Sequence, residues 1–85
     1  MCGLVGYFGA TSIGAERTFL DMLRVDVVRG PHSTGVALLS EYQKPKVIKA
    51  ALLPDDLFNT KQFEDAIRST YSGYLGHNRW RTQGE

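Results

Sequence analysis

Four short apolar runs alternate with helical patterns along this chain, and their order is the strongest constraint on its fold. The runs cover residues 3–8, 34–39, 47–52 and 73–80, and each has the length and composition of a buried strand. Between the first two runs, apolar side chains recur at helical spacing and predict an amphipathic helix over residues 15–28.

The second half of the chain adds a hairpin and a shorter helix to this prediction. A turn in residues 41–45 joins the second and third strands. Residues 54–56 predict a further turn, and residues 63–67 a short helix with Thr60 suited to its N-cap. The resulting order, β-α-β-β-α-β, is common to many small α/β and α+β domains, and it identifies no function by itself.

Composition limits the domain count and the class of partner. A chain of 85 residues forms one domain at most. Its ten basic and nine acidic residues give a net charge of +1, which argues against a nucleic-acid or acidic-membrane surface. No apolar stretch approaches a membrane span and no targeting signal opens the chain, so we expect a cytoplasmic protein.

Cys2 is the only cysteine, and its position is unusual. Removal of Met1 would make it the N-terminal residue, with a nucleophilic thiol beside a free α-amine that can accept the thiol proton. Gly3 would let a substrate or a backbone segment approach closely. The alternative is a small buried residue at the start of a strand, where free cysteine usually lies.

Two polar segments flank the later strands. Residues 29–35 fit a turn between a helix and a strand, and Ser33 is not a hydrolase nucleophile because proline stands where that motif requires glycine. In residues 76–85, Arg79 has the geometry to clamp a carboxylate and Thr82 to add a hydroxyl contact. The alternative is a solvated strand end with surface arginines.

Metal binding is not expected. Cys2, His32 and His77 lack the spacing of a zinc motif, and we predict neither a metal nor another cofactor.

Three segments, taken in order, carry a resemblance to a known family: residues 1–7, 29–37 and 76–85. They resemble the class II glutamine amidotransferases, a family of N-terminal-nucleophile glutaminase domains. The resemblance spans the whole chain. It implies that L-glutamine is the substrate and that ammonia passes to an acceptor on a synthase or synthetase domain.

The resemblance also implies a role for each matching residue. Cys2 would attack the glutamine side-chain amide, with its own α-amine as general base, and form a glutamyl thioester that water hydrolyses to glutamate. Arg79 would hold the α-carboxylate of glutamine. Trp80 and Thr82 would line the same pocket, and Gly84 lies in the same loop.

The resemblance implies an α+β fold of the Ntn-hydrolase αββα type, of which residues 1–85 form the N-terminal part. The family domain is more than twice as long, and its later half carries the Asn-Gly oxyanion pair and an aspartate that holds the substrate amine. With about four strands and two helices, we expect an incomplete sandwich with an exposed sheet face, needing a chain that completes the fold. Whether the chain is itself an enzyme stays open; the alternative is a non-catalytic binding or regulatory protein that retains the scaffold.

Overall fold

The computed structural model describes residues 2–9, 13–29, 32–41, 43–69 and 71–79. Four strands and three α-helices follow one another as β1 Cys2–Phe8, α1 Ile13–Val25, β2 Ser33–Leu39, β3 Lys46–Ala50, α2 Pro54–Phe58, α3 Lys61–Ile67 and β4 Gly73–Arg79. The expected α+β class is therefore confirmed.

The four strands form one antiparallel sheet in the order β1-β4-β2-β3. The predicted hairpin is present, since β2 and β3 pair directly, with Val36 opposite Ile48. The last strand of the sequence, β4, lies in the interior of the sheet between β1 and β2. This insertion places the start of the chain beside its third motif.

The helices pack on one face of the sheet and build a single apolar core. Phe19 and Leu23 of α1 are fully buried against β1 and β4. Gly76 of β4 allows this approach, because a Cβ there would lie 2.9 Å from the Leu23 methyl carbons. The core also contains buried residues from all four strands, from α2 and α3 and from the segment before β4: Val5, Val36, Leu38, Ile48, Leu57, Phe58, Phe63, Tyr71 and Tyr74.

The first helix ends earlier than its apolar periodicity predicts. The α-helical geometry stops at Val25, and a 3₁₀ turn continues over Asp26–Arg29. The sequence there is Asp-Val-Val-Arg, and both valine and aspartate have low helix propensity. The prediction of α-helix to residue 28 is therefore wrong by about one turn.

Residues 54–58 form a short helix where the sequence predicts only a turn. Pro54 stands in the first helical turn, where its fixed φ angle suits a helix start. Leu57 and Phe58 are buried in the core. Packing of these two side chains stabilises five residues that are too short to form a helix alone.

The start of α3 agrees with prediction. The Thr60 hydroxyl accepts a hydrogen bond of 3.2 Å from the backbone N–H of Phe63, so Thr60 is the N-cap.

The second face of the sheet, which we call the open face, carries the alternate strand residues that do not contact the helices. Leu4 is 73% exposed and Phe8 64% exposed on this face, and Val47 of β3 is also exposed. An exposed sheet face was expected from the partial sandwich. Of the helices that the structure describes, none is both long and apolar enough for a membrane span.

The Tyr74 hydroxyl is buried without a hydrogen-bond partner in the described part of the chain. Burial raises the pKa of Tyr74, and the nearby Glu16 charge adds to this. Because a buried unsatisfied hydroxyl is costly, we expect Tyr74→Phe to stabilise the protein by about 1 kcal/mol in urea unfolding.

Tyr71→Phe is the matched control, since the Tyr71 hydroxyl donates to the Ala66 carbonyl. Its removal should lower stability by about 1 kcal/mol. Equal losses in both variants would contradict the interpretation of Tyr74.

Candidate functional site

Strand pairing brings Cys2 and Arg79 together. They stand directly opposite each other in the β1–β4 ladder, and Arg79 stands opposite Ser33 in the β2–β4 ladder. Directly opposed residues of antiparallel strands have Cβ atoms about 4.5–5.5 Å apart. The first and third sequence motifs therefore meet in one row at the end of the sheet, which we call the Cys2 row.

The Cys2 row belongs to the open face. The adjacent row of Gly3, Asn78 and Thr34 faces the helices, and both Asn78 and Thr34 are fully buried. Since successive strand residues alternate between faces, Arg79 and Ser33 point away from the helices. Arg79 is exposed and Ser33 half-buried.

A buried polar network lies directly beneath the Cys2 row. The Asn78 Nδ2 group donates to the Leu23 carbonyl at 2.9 Å and lies 3.4 Å from Asp26 Oδ2. The Thr34 hydroxyl lies within donating distance of the Leu52 carbonyl, at 2.8 Å, and of Asn78 Oδ1, at 3.1 Å. These contacts connect β4 and β2 to the end of α1 and to the segment after β3.

Gly3 has a specific steric role next to Cys2. A Cβ at this position would lie 1.9 Å from Asp26 Oδ2, far inside the contact distance. The absence of a side chain therefore admits the Asp26 carboxylate against the backbone of β1. The sequence analysis expects a substrate or a backbone segment to approach Gly3, whereas the group that approaches it here is the Asp26 side chain, on the helix side of the sheet.

A cleft of about 430 Å³ opens over β2 beside Arg79. Its basic lining residues are Arg79 and His77 of β4 and Lys49 of β3. Ser33 and Gly35 of β2 line it between those strands. The cleft therefore combines basic side chains with a hydroxyl group and a floor of backbone at Gly35.

Several predicted site residues have no described geometry. Trp80, Thr82 and Gly84 lie outside the described residues. His32 is exposed before β2, and its backbone N–H donates to the Arg79 carbonyl at 3.1 Å. Within the described ranges, no group of three or more His, Cys, Asp and Glu side chains could hold a metal ion.

Sequence reasoning did not identify the buried role of Asn78 or the position of Lys49. In the sequence, Asn78 stands out only as a polar residue within the third motif, residues 76–85. Its alternation with the apolar residues of a strand could have marked a buried position. Lys49 has no comparable signal, because its neighbours in the cleft come from other strands.

Comparison with known proteins gives two relatives that carry the same name. No family model matches the chain. The glutamine–fructose-6-phosphate aminotransferase of Bacteroides thetaiotaomicron is 37% identical over 87 residues, and that of Listeria innocua is 32% identical over 92 residues. The alignments cover the whole chain but only 13% of the length of each relative. Together with the three ordered motifs, these matches bear out the resemblance to the class II glutamine amidotransferases.

Proposed function

We propose that this chain carries the nucleophile side of a glutamine-hydrolysing site, with Cys2 as the catalytic residue after removal of Met1. The observation that supports this most directly is the pairing of Cys2 with Arg79 across two neighbouring strands. This register would hold the proposed nucleophile and the proposed carboxylate-binding group on neighbouring strands, at one level of the sheet.

The proposed reaction begins with transfer of the Cys2 thiol proton to the α-amine of the same residue. The thiolate attacks the side-chain amide carbon of L-glutamine, the C–N bond breaks, and the protonated amine gives its proton to the departing ammonia. Water then attacks the glutamyl thioester, which releases glutamate and restores the thiol. No cofactor takes part in this scheme.

Arg79 is proposed to hold the α-carboxylate of glutamine through paired hydrogen bonds. A short aliphatic stem separates that carboxylate from the amide carbon, so one substrate can reach both members of a cross-strand pair. Trp80, Thr82 and Gly84 follow directly in sequence, and we assign them to the same pocket.

The Ntn-hydrolase sandwich is the proposed complete fold, and residues 1–85 are its proposed N-terminal part. The exposed apolar residues Leu4, Phe8 and Val47 support this, because a second sheet packed on the open face would bury them. The completing segment would also supply the oxyanion donors. The ammonia would go to an acceptor on an associated synthase or synthetase domain, in the cytoplasm.

The test is covalent labelling of Cys2 by a diazo-ketone analogue of glutamine. The chain, with Met1 removed, is mixed with the rest of the amidotransferase domain of the Bacteroides relative, supplied as a separate polypeptide. We expect one adduct per chain, mapped to Cys2 by peptide mass spectrometry. Cys2→Ala and protein that retains Met1 should give no adduct.

Arg79→Ala should slow labelling about tenfold or more at low analogue concentration, because a charge-assisted carboxylate contact is lost. Arg17→Ala, an exposed change on α1, is the matched control and should leave the rate unchanged. Absence of any adduct on Cys2 in the mixture would reject the catalytic proposal and favour the non-catalytic binding protein.

A further inference from the structure

We propose that the outer edge of β1 and the adjoining flank of α1 form a self-association surface, on which a second copy of this chain pairs β1 with β1 in antiparallel orientation. In the described part of the chain, β1 has β4 on one side and no strand on the other. A second sheet on the open face would cover the side chains of that face and not the backbone edge of β1. The proposal therefore does not depend on glutamine hydrolysis.

The two edges of the sheet differ in their protection against pairing. β3, at one edge, has five residues and carries Lys46 and Lys49. β1, at the other edge, has seven residues with neither a charged side chain nor a proline, and its ladder with β4 is continuous. Charges, proline and bulges are the usual devices that prevent edge strands from pairing, so β1 is the edge open to association.

The backbone groups of β1 alternate between β4 and the outer edge. The Gly9 N–H donates to the Ser72 carbonyl, just before β4, at 3.0 Å, and this bond fixes the phase of the alternation. The odd-numbered residues of β1 therefore bond to β4. The residues whose N–H and C=O groups point outward are the even-numbered ones: Cys2, Leu4, Gly6 and Phe8.

A two-fold axis at Val5 uses all of these outward groups, because it places even-numbered residues of one copy opposite even-numbered residues of the other. In this register, the residue pairs across the axis each combine a small residue with a large one: Cys2 with Phe8, Leu4 with Gly6 and Gly3 with Tyr7. The sequence of β1 is thus complementary in size to its own reverse. This property favours a second copy over an unrelated strand.

The position of α1 fits the same axis. The helix packs across both β1 and β4, so it lies about half a strand spacing inside the edge. With strands about 4.8 Å apart, the two copies of α1 would lie about 10 Å from each other. This separation is about that of packed helices, so pairing of the strands also brings the two helix flanks into contact.

The flank of α1 that would meet the second copy is apolar. A groove of about 470 Å³ lies beside it and is lined by Met22 and Val25 of α1 and by Val5 of β1. Val25 is 75% exposed and Met22 44% exposed. A second copy would remove both side chains from water.

The two carboxylates that line this groove are engaged within the chain. Asp21 accepts a hydrogen bond from the Arg24 guanidinium at 2.7 Å, and Asp26 Oδ2 lies 3.4 Å from the Asn78 amide nitrogen. The ion pair offsets the Asp21 charge, and Asp26 is held toward the sheet beside Gly3. The surface offered to a second copy therefore combines apolar side chains with a rim of low repulsion.

The size of the contact predicts a weak dimer. Seven residues at about 3.4 Å each give an edge about 24 Å long. The molecule measures 20 Å along each of its two shorter axes. A contact of this outline buries on the order of 1,000 Å² in total, at the lower end of specific interfaces. We therefore expect a micromolar or weaker dissociation constant.

The experiment measures association and amide exchange of the chain, under reducing conditions, as its concentration is raised. Sedimentation equilibrium should fit a monomer–dimer equilibrium. In hydrogen exchange followed by NMR, the Leu4 and Gly6 amides should become protected as the dimer forms. The Val5 and Tyr7 amides bond to β4 and should be protected at every concentration. A monomer throughout, or larger assemblies without a dimer, would overturn the proposal.

Variants separate the backbone contact from the flank contact. Leu4→Pro removes an outward N–H without breaking a bond to β4 and should weaken dimerisation about tenfold or more. Leu4→Ala keeps that N–H and should weaken dimerisation less. Val25→Lys places like charges near the axis and should also weaken it about tenfold or more. Val47→Lys, the same change on β3, should leave it unchanged.

Equal effects of the two Leu4 variants, or of the two lysine variants, would contradict the proposed contact. Circular dichroism of each variant separates a lost dimer from a lost fold. A parallel sample contains the rest of the amidotransferase domain of the Bacteroides relative as a separate polypeptide. Protection of the Leu4 and Gly6 amides in that mixture only, and never in the chain alone, would assign the edge to the completing segment and exclude self-association.

Discussion

Phe19→Ala is expected to remove a large part of the stability of this protein. The Phe19 ring is fully buried and stacks on the Tyr74 ring, with 5.3 Å between the ring centroids. It also packs against the backbone at Gly76, where no side chain can move in to fill the space. Truncation of such a ring costs about 3–5 kcal/mol, whereas a small domain has only about 5–15 kcal/mol in total.

Urea unfolding followed by circular dichroism gives the free energy of unfolding for this comparison. Met22→Ala is the control on the same helix, because Met22 is 44% exposed and its loss should cost about 1 kcal/mol or less. A Phe19→Ala midpoint equal to that of Met22→Ala would show that α1 does not pack on the sheet as described.

Asn78→Leu is expected to cost about 2–4 kcal/mol although the two side chains have the same branched arrangement of heavy atoms. Asn78 is fully buried, and its amide is the donor to the Leu23 carbonyl beneath the Cys2 row. Leucine leaves that carbonyl and the nearby Asp26 carboxylate without this donor. A buried polar group that loses its partner costs about 1–3 kcal/mol, and more when it is charged.

A double-mutant cycle with Thr34→Val tests whether these residues act as one network. Thr34→Val removes the hydroxyl that lies 3.1 Å from Asn78 Oδ1. The double variant should lose less stability than the sum of the single changes, with a coupling of about 0.5–3 kcal/mol. Additive effects would show that the two side chains are energetically independent.

The strands and the longer helix were predictable because their signals are local. Apolar runs of strand length and helical periodicity depend on neighbouring residues only, and the Thr60 cap depends on a hydrogen bond three residues away. The short helix at Pro54–Phe58 was not predictable in this way, because its stability comes from burial of Leu57 and Phe58 in a core built by other elements.

The candidate site likewise has features that depend on local sequence and features that depend on long-range packing. The sequence alone determined which residues are the candidates, since the motifs that contain Cys2 and Arg79 carry the family resemblance. Only the tertiary structure decided that these two residues are neighbours, because insertion of β4 beside β1 sets their register. The same long-range pairing buries Asn78 and gathers Lys49 with His77 over Gly35. Contacts between residues this far apart in the chain leave no periodic pattern in the sequence, so they emerge only when the sheet has formed.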